Sequence, residues 1–379
     1  MEIMGVDGFD FIVKTSFNCN MRCLYCYEGD KLESGRMSDA TLRALISKVG
    51  KHSINTGAFV EFIWHGGESL LVGLDFYKRV VKEQKAIGPG FRYINSIQTN
   101  GILLDGSFAD FFVKNNFGVG VSIDGPPVIH DAQRLGVDAT TGTFKQAYSA
   151  LVEMDNRGQR PGALTVFTRN TLEHLNEFYE FFRDRSLNVK IIPLVFEGRA
   201  KDGSSAHLQV TPKEYGDALV YLFDRWASES KSTFAIDPLA KIVRSVVSGK
   251  NTYSCVQAGK CYNYFKVFPG GDVHLCGLQP YGEYTLGNIN REDVFALMSS
   301  PIRKEYSQIK AAMKKVCRKC EHFGICNGGC TRSAYSSYLT MPTRDYYCES
   351  FKNIFSHIKN VVPKNVALAK SLMQSFNYE

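Results

Sequence analysis

The chain has 379 residues, 44% of them hydrophobic and 22% charged, enough for a large core and a second, smaller unit. No apolar stretch reaches the length needed to span a bilayer, which excludes an integral membrane protein of the helical kind. The net charge is +7, but the Lys and Arg residues are dispersed among acids without a dense basic stripe interleaved with aromatics, which argues against a nucleic-acid partner and for a mildly basic surface.

In the N-terminal part, short β-rich runs alternate with amphipathic helical patterns, the signature of βα units and a parallel sheet. Six strands are expected, at Phe9 to Thr15, Ala58 to Trp64, Tyr93 to Gln98, Gly118 to Ile123, Ala163 to Phe167 and Val189 to Pro193. Helices are expected at Asp39 to His52, Asp75 to Lys85, Ser107 to Lys114, Phe144 to Asn156 and Leu172 to Arg185, where apolar residues recur at three and four. The fold class is therefore α/β, a partial (β/α)6 TIM-like barrel. In such barrels working residues sit where strands end and loops begin. Cys19 follows the first expected strand, His65-Gly66-Gly67-Glu68 the second, Thr99-Asn100-Gly101 the third and Asp124-Gly125-Pro126 the fourth, so four polar or glycine-rich signals converge on one rim.

After Thr211-Pro212 come two helical stretches, one to about Ser228 and one from Pro238 to Ser248, and a cysteine-rich region opens at Cys255. The expected division is 1–235 for the barrel and 236–379 for a linker helix, a cysteine-rich domain and a C-terminal helix that packs back on the barrel. Phe265 to Phe268 and Val273 to Cys276 flank Pro269-Gly270-Gly271-Asp272, a hairpin signal, and the pattern from Glu349 onward is helical.

The 11 cysteines fall into two groups: Cys19, Cys23 and Cys26 as C-x3-C-x2-C, and eight between Cys255 and Cys348. An odd count, a start MEIMGVDGFD without a basic and apolar leader, and a chain that needs no staples all argue against a disulfide framework. Zinc suits Cys317, Cys320, Cys326 and Cys330 in their paired short spacings, but leaves the other seven unexplained. A closed four-iron cluster takes four thiolates, so eight fit two closed clusters and three fit one cluster with an open iron.

C-x3-C-x2-C on a loop after the first strand resembles the signature of the radical S-adenosylmethionine (SAM) superfamily. The resemblance implies a [4Fe-4S] cluster on Cys19, Cys23 and Cys26 whose open iron is chelated by the amino and carboxylate groups of SAM, and an electron that breaks the sulfur to C5′ bond to give a 5′-deoxyadenosyl radical. Tyr25 is the aromatic residue the family commonly has inside the loop, near adenine. Gly66-Gly67-Glu68 resembles the segment that receives the methionine ammonium, with Ser69 where a proline usually follows. Asn100, Ser122 and Arg134 match positions that bind the cofactor in related peptide-modifying enzymes, a guanidinium fork being suited to a carboxylate.

Cys261-x9-Gly271-x4-Cys276, Cys317-x2-Cys320-x5-Cys326-x3-Cys330 and Cys348 reproduce the SPASM pattern, with Cys255 as an eighth thiolate. Similarity to anaerobic sulfatase-maturating enzymes, which extends through Ser96 to Gly101, the DGP segment and Leu286-Gly287-Asn288-Ile289, implies one auxiliary [4Fe-4S] cluster on Cys255, Cys261, Cys276 and Cys330 and another on Cys317, Cys320, Cys326 and Cys348. One departure stands out. Those maturases carry an aspartate base directly after the cysteine matching Cys276, and here Gly277, which cannot accept a proton, occupies that place. Tyr281, Glu283 and Tyr284 follow it without an assigned role, and no catalytic base is assigned. Few residues precede the first strand, so substrate recognition is expected from barrel and SPASM surfaces rather than an N-terminal leader-binding domain.

The expectation is a cytoplasmic radical SAM oxidoreductase that matures a ribosomally made peptide (a RiPP maturase), using three [4Fe-4S] clusters and an electron donor such as flavodoxin or ferredoxin, with no nucleic-acid or membrane partner. The alternatives are a sulfatase maturase forming formylglycine and a non-catalytic iron-sulfur electron carrier.

Overall fold

Phe9, Phe11 and Val13 alternate with Asp10, Ile12 and Lys14 along the first strand, and the first set is buried in the main core with Leu42, Leu45, Ile46 and Val49 of the following helix. The same alternation recurs in the next strand, where Val60, Phe62 and Trp64 enter the core and Glu61, Ile63 and His65 face the other way. The computed structural model describes residues 8–29, 35–201, 203–229, 233–249, 251, 261–276, 284–338 and 344–364.

Ten strands form one sheet: β1 Gly8–Lys14, β2 Phe59–His65, β3 Tyr93–Thr99, β4 Phe117–Ser122, β5 Gly162–Phe167, β6 Val189–Pro193, β7 Ile236–Asp237, β8 Tyr264–Val267, β9 Asp272–Leu275 and β10 Thr285–Asn288. Their spatial order is β10-β9-β8-β1-β2-β3-β4-β5-β6-β7. Neighbours from β1 through β6 pair in parallel, with helices between them, which is the run of six βα units expected of a partial barrel. Each strand starts and ends within a residue or so of its expected place.

The sheet also runs past residue 235 on both edges. The short β7 pairs in parallel with β6, while β8 pairs in parallel with β1 and continues into an antiparallel β8-β9-β10 meander. The cysteine-rich half is thus stitched to the first barrel strand by backbone hydrogen bonds. Phe265 of β8 stacks on Phe11 of β1 at 5.2 Å between centroids, extending the core across that seam.

Helix ends follow the local chemistry. Ser38 Oγ accepts from Thr41 N at 3.1 Å to start the helix Asp39–Thr56, and Gly57 closes it at φ +70°. Thr211 and Glu214 form a reciprocal capping box around Pro212. The stretch expected as one helix at Leu172 to Arg185 is two, Arg169–Glu173 and Leu175–Asp184, separated at His174 by backbone at φ −119°, ψ +38°. The C-terminal helix Cys348–Val361 packs on Pro212–Ala227, where a Cβ on Gly216 would come within 2.9 Å of Ser350 Cα, and Asn353 and His357 bond Asp217 and Asp224 at 3.1 and 2.6 Å.

Candidate active site

The thiol loop leaves the end of β1 and is held by the segment after β2. Thr15 N donates to His65 O at 2.8 Å, Gly67 N to Ser16 O at 2.9 Å and Glu68 N to Asn18 O at 2.8 Å, so the two segments zip together beyond their strands. Only glycine allows this approach: a Cβ on Gly66 would lie 2.6 Å from Ser16 O, and one on Gly67 2.4 Å from Asn18 O and 2.5 Å from Phe17 O. Glu68 is buried. Its carboxylate accepts from Leu70 N, Thr99 Oγ1 and Asn100 N at 2.9, 2.6 and 2.7 Å, yet burial still outweighs those bonds and pushes its pKa up. Ser69, standing in place of proline, donates its hydroxyl to Gln98 O at 2.7 Å and so ties this segment to β3.

Cys19 is exposed and Cys23 and Cys26 are half-buried. Although the residue keeps solvent contact, protein packed around the Cys19 sulfur, with the charges of Cys23, Glu68 and Cys26 adding, pushes its thiol up. Burial likewise lifts Cys23 to about 11, against the pull of Arg134. Thiols raised in this way by burial become thiolates at neutral pH only with cationic compensation, which suits an iron cluster. Asn100 Nδ2 reaches Cys19 Sγ at 3.8 Å and Asn20 Oδ1 at 2.8 Å, placing this β3-terminal side chain against the loop.

Beneath the loop lies a buried polar network. Arg134 Nη1 donates to Tyr25 OH at 2.6 Å, Tyr25 OH donates to Asp124 Oδ2, and Gln133 Nε2 donates to the same oxygen at 2.9 Å. Asp124 Oδ1 accepts from Val166 N at 3.1 Å. Tyr25 therefore sits under the loop among Leu194, Ala200 and Leu208, with its hydroxyl committed to Asp124. Arg134 retains one buried donor, Nε, without a partner. An orphaned guanidinium N–H beside the three-thiol loop is what a carboxylate-bearing cofactor at an open iron calls for. Ser122 Oγ accepts from Gln98 Nε2 at 2.9 Å on the inward face of the sheet.

A second buried network joins this loop to the cysteine-rich half. Lys14 Nζ donates to Tyr27 OH at 2.6 Å, to Glu28 Oε1 at 2.7 Å and to His65 Nδ1 at 3.3 Å. The Tyr27 ring lies under the Arg332 guanidinium at 4.5 Å, and Arg332 bonds both carboxylate oxygens of Glu197 at 3.1 and 3.0 Å from Nε. Tyr27 directly follows Cys26 and Arg332 stands two residues after Cys330, so the two cysteine groups are bridged by a stacked pair.

The remaining described cysteines line two cavities. Cys261, Cys276 and Cys330 line one with Tyr264, Tyr306, Thr331 and Arg332. Cys317, Cys320, Cys326 and Cys348 line another, of about 250 Å³ and open to solvent. Cys330 thus parts company with the set that short spacing offered to zinc and is replaced by Cys348. No three His, Cys, Asp or Glu side chains among the described residues are gathered tightly enough to hold a single metal ion, so the thiols ring cavities rather than a point. Asp345 lies between the two: it accepts from Cys330 N at 2.6 Å, and its charge is felt at Cys326 and Cys348.

Residues 13–182 match the Radical SAM superfamily, and residues 255–321 match SPASM, an iron-sulfur cluster-binding domain. The chain is 30% identical over 370 residues to a cysteine-type anaerobic sulfatase-maturating enzyme of Clostridium novyi, covering 95% of this chain and 97% of that protein. The chain belongs to the radical SAM superfamily. Within it, the chain carries a SPASM domain and is related to the anaerobic sulfatase-maturating enzymes, including a serine-type enzyme of Bacteroides thetaiotaomicron at 29% identity over 364 residues, covering 90% of this chain and 86% of the other. Its fold superposes on that of native anSMEcpe with bound AdoMet and Kp18Cys peptide at a TM-score of 0.84 and 28% identity, over 95% of this chain and 99% of that one.

Cys255, Gly277, Tyr281 and Glu283 lie outside the described residues, while Tyr284 is half-buried at the edge of the main core. Sequence reasoning overlooked Lys14, Tyr27, Glu28, Glu197, Lys266 and Arg332. A lysine at the end of a strand otherwise facing a barrel was the available signal for Lys14. Glu197 and Arg332 are 135 residues apart and give none.

Proposed function

We propose that this radical SAM enzyme oxidises a residue within a peptide or protein, forming a crosslink or an oxidised side chain. Cys19, Cys23 and Cys26 would hold the cofactor-binding cluster, with Asn100 and the Gly66-Gly67-Glu68 segment shaping its rim. Ser122 and Arg134 would face the cofactor, and Tyr25 would support Arg134 from below. S-adenosylmethionine bound at such a cluster supplies a 5′-deoxyadenosyl radical that takes hydrogen from an unactivated carbon. The single observation that carries the reading is the orphaned Arg134 Nε buried beside the three-thiol loop.

Cys261, Cys276 and Cys330, with Cys255, would hold one auxiliary [4Fe-4S] cluster, and Cys317, Cys320, Cys326 and Cys348 the other. The division of the described thiols between two cavities supports this partition. Fully thiolate-ligated clusters have no free corner for substrate, so their part is to take the electron left after hydrogen abstraction and pass it toward a flavodoxin- or ferredoxin-like partner. The residues that carry this chemistry require a reducing compartment such as the cytoplasm.

Formylglycine formation is the second reading, favoured by full-length similarity to sulfatase maturases and opposed by Gly277. Anoxic turnover with SAM and reductant separates the two. A two-hydrogen mass loss on peptides encoded beside the gene, with no aldehyde on a Cys- or Ser-containing sulfatase peptide, supports peptide maturation. Aldehyde on the sulfatase peptide supports the second reading.

A further inference from the structure

Lys266 pairs in register with Ile12, so its side chain leaves the same face of the sheet as Ile12 and Lys14, into the barrel interior. Phe265 takes the opposite face with Phe11. Lys266 is only 7% exposed, and its ammonium has no hydrogen bond or ion pair among the described residues. The neighbouring cations are matched, Lys14 by Glu28 and Arg332 by Glu197. Burial first, and then the charge of Arg332, depresses the Lys266 pKa to about 8. Cys276 and Glu197 are the anions whose charge reaches Lys266, neither bonding it, while Lys310 is the cation that acts on Cys261.

His65 stands on the same inward face, at the end of β2. Gly66 N, at 2.7 Å, and the Lys14 ammonium, at 3.3 Å, can only donate to its Nδ1, which places the ring proton on Nε2 although Gly66 O also lies 3.0 Å from Nδ1. Burial and Lys14 hold the ring neutral, and the charge of Lys266 reaches it. Nε2–H has no acceptor among the described residues. A buried ammonium and an N–H donor on one face, neither with a bonded partner among the described residues, make a receptor for an anionic oxygen, since buried charge persists only when paired.

We propose that Lys266 and His65 bind a carboxylate of the peptide substrate inside the barrel, between the thiol loop after β1 and the cavity lined by Cys261, Cys276 and Cys330. This rests on the peptide-modifying reading and makes an acidic group near the target residue the specificity determinant. The carboxylate comes from an acidic side chain or from the peptide C-terminus.

The test is calorimetric titration of the anoxically reconstituted full chain, loaded with SAM, by three capped tripeptides: Ac-Ala-Glu-Ala-NH2, Ac-Ala-Gln-Ala-NH2 and Ac-Ala-Gln-Ala-OH. A carboxylate-bearing peptide binds at least about tenfold more tightly than the fully neutral one, a charge-assisted bond's share. Preference for the first identifies a side chain, and preference for the third a terminus. The preference disappears in Lys266→Gln, weakens in His65→Leu and survives in Lys266→Arg. Equal affinities for all three peptides, or a preference that persists in Lys266→Gln, overturn the proposal. So does a shifted auxiliary-cluster potential in Lys266→Gln with peptide preference intact, which makes the lysine a cluster counter-ion. Formation of 5′-deoxyadenosine by the unsubstituted chain is scored in parallel, so failure of the radical reading is seen separately.

Discussion

Replacing Gly67 by alanine strains the thiol loop directly. The new methyl would stand 2.4 Å from Asn18 O, 2.5 Å from Phe17 O and 2.7 Å from Asn18 C, where ordinary contact begins at 3.4 Å. All three atoms are backbone, so no flexible side chain can yield and the segments must part by about 1 Å, the size of that shortfall. A shift of that size stretches Gly67 N to Ser16 O and Glu68 N to Asn18 O, now 2.9 and 2.8 Å, beyond hydrogen-bonding range. Two lost bonds cost about 1–3 kcal/mol, and the displaced residues lead directly into Cys19. Iron and SAM binding are the assays. Gly67→Ala is expected to lose about four irons per chain and SAM affinity with them, while the auxiliary clusters remain. Full iron content with unchanged SAM affinity would refute the claim that glycine is required for this approach.

Glu197→Gln removes the carboxylate that pairs with the buried Arg332 guanidinium and should destabilise the holoprotein by about 3 kcal/mol, read by anoxic denaturant unfolding. The double variant Glu197→Leu with Arg332→Met should recover much of that loss. Cys330→Ser should remove the same cluster signal as Cys276→Ser, whereas Cys348→Ser should remove the one lost in Cys317→Ser, as electron paramagnetic resonance of each variant would show. His65 and His130 are pushed down to about 3 and about 2, both chiefly by burial, while an exposed histidine titrates at 6.5. The unfolded chain therefore binds more protons below that pH. Stability is complete above about 6.5 and falls toward lower pH by about 1.4 kcal/mol per unit for each residue. His130→Gln should lower that slope by about 1.4 kcal/mol per unit below about pH 6.

The six barrel strands were legible because alternating burial imposes a period of two, and the rim motifs because each follows such a strand. Three features were not. The amphipathic helix Pro301–Cys317, with Tyr306, Ile309 and Met313 buried, lay unread between cysteine motifs although Pro301 at its first turn was a start signal. Joining of the cysteine-rich half to β1 escaped notice because β8 is a four-residue strand buried on every residue, Tyr264 to Val267, so it carries no alternation. The buried charges escaped for another reason. A lysine such as Lys14 or Lys266 reads as a surface residue until the sheet shows which face it occupies. Spacing alone offered Cys330 to the wrong set; the family resemblance placed Cys330 and Cys348 in different sets, and the two cavities divide them the same way.

The central claim is that the loop of Cys19, Cys23 and Cys26 carries the reactive metal site and the other thiols do not. It is tested most directly by quantifying 5′-deoxyadenosine after anoxic reduction of the reconstituted chain with SAM, beside a Cys23→Ala variant whose iron content is measured. The account predicts product from the first, and none from the variant, which keeps about eight irons on its auxiliary clusters. No product from the unsubstituted chain, or equal product from both, contradicts it.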